Sequence, residues 1–176
     1  MLSTLFKTPE RIKILETVLQ KEKTTVTQIT LETGLSKGMV SRYLKIMKEH
    51  ELLYRKKQTY YITNNTLSKA LKVLINLEKL KWEKMSPGWV ESAGLYGSWA
   101  SGTNSELSDV DIWVKVNIYP SEEELNQLYK VLKEMTNSEV NIIVLTTERL
   151  EQIKKTDPPF YYSLLTGSLV LEGESL

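Results

Sequence analysis

At 176 residues the chain has room for one ordinary domain or two small ones, and its 41% hydrophobic and 26% charged content is that of a globular protein in water. It contains no cysteine and one histidine, His50, which excludes disulfides and thiolate metal sites and argues against a zinc or triad centre built on histidine. The net charge of +1 hides an asymmetry: twelve basic against six acidic residues give positions 1–65 a charge of +6, leaving −5 for the remainder, so the front of the chain is expected to meet a polyanion.

Taken in order, Thr8-Pro9 reads as an N-cap with proline at the first helical position, and Ile12, Leu15, Val18 and Leu19 form an apolar stripe up to Gln20. Thr25-x-x-Gln28 is a capping-box pattern that opens a short helix with Val26 and Ile29 inward. Gly34 breaks that helix, Leu35 anchors the turn, and Ser36 caps a third helix carrying Val40, Leu44 and Met47 on one face. His50 falls at its end. Beyond it the pattern turns strand-like: Leu52-Leu53-Tyr54, a basic tip at Arg55-Lys56-Lys57-Gln58, then Thr59-Tyr60-Tyr61-Ile62.

Helix, helix, glycine turn, helix and basic hairpin is the layout of a winged helix-turn-helix, and Thr33 to Leu44 resembles that family, over residues 8–64. The outward face of the third helix then holds Gly38, Arg42 and Lys45, with Ser41 at its edge. Lys37, Ser41, Arg42, Lys45, Arg55, Lys56 and Lys57 are the candidate contacts to DNA, or to structured RNA, through phosphates and guanine edges. Residues 66–86 are expected to form a connecting helix, running from Thr66 to Lys84. Its broad stripe of Ala70, Val73, Leu74, Leu77 and Leu80, widened by Leu67, Leu71 and Ile75, suits packing on both modules or on a second subunit in a homodimer.

Ser86-Pro87-Gly88 ends the helix, and a strand ending in Leu95-Tyr96 runs into Gly97-Ser98-Trp99-Ala100-Ser101-Gly102. Then come Ser108-Asp109-Val110-Asp111-Ile112-Trp113-Val114. Gly97 lets the backbone approach an anion and Ser98 adds a hydroxyl. Strand alternation puts Asp109 and Asp111 on one face, about 7 Å apart, with Val110, Ile112 and Val114 facing the core. Two such carboxylates suit magnesium, which prefers hard oxygen ligands. Downstream, Ser121-x-x-Glu124 caps a helix with Leu125, Leu128, Leu132 and Met135 inward, and Val140–Leu145 reads as a strand. Thr147 to Lys155 and Pro158 to Leu165 read as helices, and Ser168–Leu171 as a closing strand. A small sheet with helices on one side is expected.

Gly-Ser-x-Ala-x-Gly followed by Ser-Asp-x-Asp-Ile resembles the DNA polymerase β nucleotidyltransferase superfamily, in particular its minimal members. The resemblance implies an α/β (α+β) chain: a winged helix-turn-helix at 1–65, the connecting helix at 66–86, and a mixed-sheet nucleotidyltransferase domain at 87–176. It further implies Mg2+ on Asp109 and Asp111, and a nucleoside triphosphate held by Gly97, Ser98 and Ser108. The reaction it implies is transfer of a nucleoside monophosphate to a protein or nucleic-acid acceptor. The family's third carboxylate, in a Val-Asp-[Leu/Val/Ile] strand, falls at Val140-Asn141-Ile142, so asparagine stands as the third metal-facing residue. Glu139 shares that face by strand alternation but lies about 7 Å further along. The family's frequent arginine before the second glycine is Ser101. A DNA-binding regulator whose nucleotidyltransferase domain is a weak enzyme or a nucleotide sensor is the alternative expectation. The apolar runs are too short to span a membrane and Met1-Leu2-Ser3-Thr4 does not read as a signal peptide, so no membrane partner and a cytoplasmic location are expected.

Overall fold

A computed structural model describes all residues, Met1–Leu176. The chain divides into two compact units, Met1–Lys72 and Val73–Leu176.

The first unit opens with α1 (Leu2–Leu5) and α2 (Pro9–Leu19), the latter capped by the Thr8 side chain, which accepts from the Arg11 amide. Ile14, Leu15, Val18 and Leu19 are its buried face, so the inward stripe includes Ile14 and leaves Ile12 only half-buried. β1 (Lys23–Thr25) leads into α3 (Val26–Thr33), where Thr25 and Gln28 close both halves of the capping box. Gly34 then turns left-handed, with φ +72°, and stops the helix. α4 (Lys37–Glu49) starts on the Ser36 cap and buries Val40, Tyr43, Leu44 and Met47. The wing is β2 (Leu53–Lys56) and β3 (Thr59–Ile62), antiparallel across a tight turn at Lys57-Gln58. Arg55 and Lys56 thus belong to strand rather than to the tip. β1 pairs with the far side of β3, giving a three-stranded sheet in the order β1-β3-β2, a partner that a three-residue strand does not announce in sequence.

α5 (Thr66–Leu80) crosses the division between the units. It is shorter than its apolar pattern suggests, because Lys81 turns left-handed and Trp82–Lys84 form a 3₁₀ turn. Its buried residues are Ser68, Leu71, Ile75, Asn76 and Leu80. Ala70, Leu74 and Leu77, expected in one inward stripe with Leu80, are exposed. Of the expected stripe, Leu71, Ile75 and Leu80 are the buried part; leucines lie on both sides of the helix, so periodicity alone does not pick the buried side.

In the second unit β4 (Ser92–Tyr96), β5 (Val110–Lys115), β6 (Val140–Leu145) and β7 (Leu169–Glu172) form one sheet in the order β6-β5-β4-β7. Only β5 and β6 run parallel. Their crossover is α7 (Glu122–Thr136), capped by a Ser121–Glu124 capping box; parallel neighbours need such a connection. α6 (Gly97–Ser101) follows β4, while α8 (Thr147–Thr156) and α9 (Pro158–Gly167) precede β7. Apolar side chains pack on both faces of this sheet, which corrects the one-sided expectation. Leu95, Trp99, Val110, Ile112, Val114, Leu128 and Leu132 gather on one face. Trp113, Leu145 and Leu164, with Tyr96, Ile143, Leu150 and Phe160, gather on the other, under α8 and α9. The alternation of β5 that sends Ile112 one way sends Trp113 the other, and Asp111 goes with Trp113.

Candidate functional site

The ends of three neighbouring strands set the site. Tyr96 closes β4 opposite Asp111 of β5, and Asp111 lies opposite Asn141 of β6, so the three form a row across the sheet. Asn141 Nδ2 donates to Asp111 Oδ1 at 2.9 Å. Gly97 sits against the other carboxylate oxygen: its φ is +70°, and a Cβ there would overlap Asp111 Oδ2. Any other residue at 97 would therefore be strained in backbone and blocked by the carboxylate. Asp111 is half-buried between these neighbours. Burial, helped by the negative charge of Asp111, pushes the Tyr96 phenol up to about 12, so it stays protonated and available as a donor. Phe160 of α9 meets Tyr96 edge to face, with ring centroids 6.4 Å apart.

Gly97 and Ser98 begin α6, which packs against β4, β5 and α9. Ser101 donates to the Ser98 carbonyl at 3.2 Å and lies 2.9 Å from the Thr103 hydroxyl, so the residue standing in the arginine's place is used within the turn. Ser108 is likewise engaged in its loop, its hydroxyl accepting from the Ser105 amide at 2.9 Å. Asp109 precedes β5 and is exposed. It lines a cavity of about 360 Å³ with Glu106, Leu107, Ser108, Lys133 and Glu139.

Glu139 does not share the face of Asn141. It precedes β6, and its carboxylate accepts from the Tyr129 hydroxyl at 2.7 Å and from Lys133 at 2.6 Å, both on α7. Those bonds hold its carboxyl below the usual range, Lys133 first. Period-two alternation fails there because residue 139 lies outside the strand. Of the residues expected at a metal, Asp111 and Asn141 meet side chain to side chain, whereas Asp109 precedes β5 and lines the cavity with Lys133 and Glu139; no three His, Cys, Asp or Glu side chains cluster as a metal cage anywhere in the chain. Two carboxylates still fit magnesium, which keeps waters and completes its shell with substrate phosphates.

In the first unit, Lys37, Ser41, Arg42 and Lys45 are all exposed on α4. On the wing, Arg55 Nε donates to the Lys57 carbonyl at 2.7 Å and its guanidinium lies over Tyr60. Lys56 lies over the stacked rings of Tyr54 and Tyr61, while Lys57 is exposed at the turn. Sequence reasoning passed over Tyr96 and Asn76; a polar residue inside the apolar run of α5 was the available signal for the second.

Residues 8–55 match the family model described as bacterial regulatory protein, arsR family, and residues 78–170 match the one described as polymerase beta, nucleotidyltransferase. A protein of Methanocaldococcus jannaschii named as a protein adenylyltransferase, an assignment that is itself an inference, is 32% identical over 93 residues, which span 52% of this chain and 90% of that protein. Among solved structures, a toxin–antitoxin complex with AMP-PNP matches at 18% identity and a TM-score of 0.38, over 59% of this chain and 73% of that one. A tri-AMPylated Shewanella oneidensis HEPN toxin in complex with MNT antitoxin matches at 16% identity and a TM-score of 0.36, over 60% and 73%.

Proposed function

Because the chain belongs to the polymerase β nucleotidyltransferase family and carries a winged helix-turn-helix ahead of that domain, we propose that it is a magnesium-dependent nucleotidyltransferase tethered to DNA. The observation that carries the reading is the Asp111 carboxylate held between Gly97 and Asn141, at the turn where the phosphates of a nucleoside triphosphate would lie. Gly97 and Ser98 take the β- and γ-phosphates. Asp109 and Asp111 would hold magnesium, which would supply charge stabilisation to the transferring phosphoryl group. An acceptor hydroxyl oxygen bonds to the α-phosphorus, the bond to the bridging oxygen breaks, and diphosphate leaves with the electron pair. Asn141 cannot take the hydroxyl proton, so that proton leaves to water at this exposed position. Tyr96, kept protonated, donates toward phosphate oxygen.

The acceptor is a polypeptide hydroxyl. The cavity beside Asp109 carries acidic side chains that outnumber its one lysine, and no aromatic ring lines it to stack a base. A polyanionic acceptor would be repelled there. The name of the archaeal relative points the same way. The first unit recognises duplex DNA through α4 and the wing, whose exposed cations suit phosphate contact. Leu74 and Leu77 on α5 are the surface through which two copies would pair. No helix is long and apolar enough to cross a membrane.

A second reading rests on Asn141. An amide that donates to Asp111 replaces a third charge at the metal, which favours triphosphate binding without efficient transfer. Incubation with magnesium and α-labelled triphosphates, alone and with cell extract, separates the two. Label on a protein band supports the enzyme, and binding without transfer supports the sensor. A chain that does neither refutes both.

A further inference from the structure

α6 is five residues long, too short to hold its own shape, because one turn fixes several backbone dihedrals for a single hydrogen bond. Its carbonyls must be satisfied from outside. Gly102 and Thr103 amides and the Ser101 hydroxyl all donate to the Ser98 carbonyl. The next carbonyl, Trp99 O, is reached from α5. Asn76 Nδ2 donates to it at 2.9 Å and also to Asn104 Oδ1 at 3.0 Å, while Asn104 Nδ2 returns a bond to Asn76 Oδ1 at 3.3 Å. Both amides are fully buried, at 0% exposure.

We infer that Asn76 is a positioning residue of the nucleotide site, acting through Trp99 O and Asn104 to hold the Gly97–Ser101 turn in the orientation that receives the triphosphate. This rests on the nucleotide reading above. Ile75 and Leu80 on the same helix are buried and apolar, so the amide at 76 stands out among its buried neighbours. A buried amide is costly unless all its bonds are made, and when made it admits one geometry. Asn76 comes from the helix before β4 and Asn104 from the loop after α6, and their mutual bonds tie the turn to both segments. The Trp99 indole adds a bond to the Ser108 carbonyl at 3.4 Å, which ties the same turn to the approach of Asp109.

The test uses the full chain with Asn76→Leu and the double variant Asn76→Leu/Asn104→Leu, and three readouts. Thermal melting reports stability, duplex DNA affinity reports the first unit, and titration calorimetry with magnesium ATP, GTP, CTP and UTP in turn reports the site. The single variant should melt lower, since it removes the buried bonds that Asn76 makes to Trp99 O and to Asn104. The double variant also removes the second amide of the pair and should recover part of that loss, while the Trp99 carbonyl still lacks its donor. Triphosphate affinity should nonetheless stay roughly tenfold or more weaker in both variants, the scale of one lost hydrogen bond to an ordered group, with DNA affinity unchanged. Recovery of both stability and triphosphate affinity in the double variant would overturn the inference, leaving Asn76 a packing residue. Wild-type protein that binds none of the four triphosphates would overturn the nucleotide reading itself.

Discussion

Replacing Asn141 with aspartate converts a hydrogen bond at the site into a repulsion. The native amide donates to Asp111 at 2.9 Å, on a strand in direct register with β5. In the variant two carboxylates face each other there. Charges about 4 Å apart repel by ~1 kcal/mol in water and by ~4 kcal/mol at an effective dielectric of about 20. Asp111 is half-buried and Asn141 exposed, so the cost should fall between those limits. The lost hydrogen bond adds about 1 kcal/mol. For a domain of this size each kcal/mol moves the midpoint by ~4–8 °C, so the metal-free variant should melt lower by roughly 10 °C or more. Protonation relieves the repulsion, so the deficit should be largest at neutral pH and fade as pH falls toward the ordinary aspartate value near ~3.9. Magnesium should stabilise the variant more than the native chain, because binding to the folded state alone adds RT ln(1 + [L]/Kd). If the missing carboxylate is what limits transfer, label incorporation should rise by ~10²–10⁴-fold, the usual range for general-base help. Melts at two pH values with and without millimolar magnesium, beside the α-labelled ATP assay, measure all of this. A variant whose melting and magnesium response equal those of the native chain would place residue 141 outside the reach of the metal and refute the reasoning.

Asp109→Asn with Asp111→Asn should abolish magnesium-dependent triphosphate binding in calorimetry while the circular dichroism spectrum stays native; retained binding would remove both residues from the site. Glu139→Gln should leave transfer intact, because its carboxylate is tied to Tyr129 and Lys133 rather than to Asp111. Alanine at Arg55, Lys56 and Lys57 should weaken duplex binding and flatten its salt dependence by a slope of about 0.9 per lost phosphate contact, whereas Arg42→Ala should relax sequence preference. Tyr43 is buried with its hydroxyl on the Leu5 carbonyl at 2.9 Å, and burial raises its phenol pKa well above the usual value, against a weaker pull from Arg11. Since the folded pKa is the raised one, its stabilisation is complete below the unfolded value of about 10 and is lost as pH rises beyond it. The melting advantage of the native chain over Tyr43→Phe, about 1–2 kcal/mol at neutral pH, should therefore shrink above about pH 10.

What the sequence determined by itself was local chemistry. Thr8, Thr25 with Gln28, Ser36, and Ser121 with Glu124 each cap the helix they were expected to cap, because a cap needs only residues three positions apart. The Gly97-Ser98 turn and the strand that follows Asp109 were legible for the same reason, being short runs whose residue types suit few other uses, although Asp109 itself lies just before that strand. The tertiary structure decided whatever depends on a partner far along the chain. It pairs β1 with β3, sets Trp113 in a second apolar layer, turns Leu74 and Leu77 to the outside, and swings Glu139 toward α7. It also places Asn76 beside a carbonyl 23 residues on and Asn141 against an aspartate 30 residues back. Periodicity says that a residue lies on a face, but which face is buried, and what waits there, is settled only when distant segments pack together.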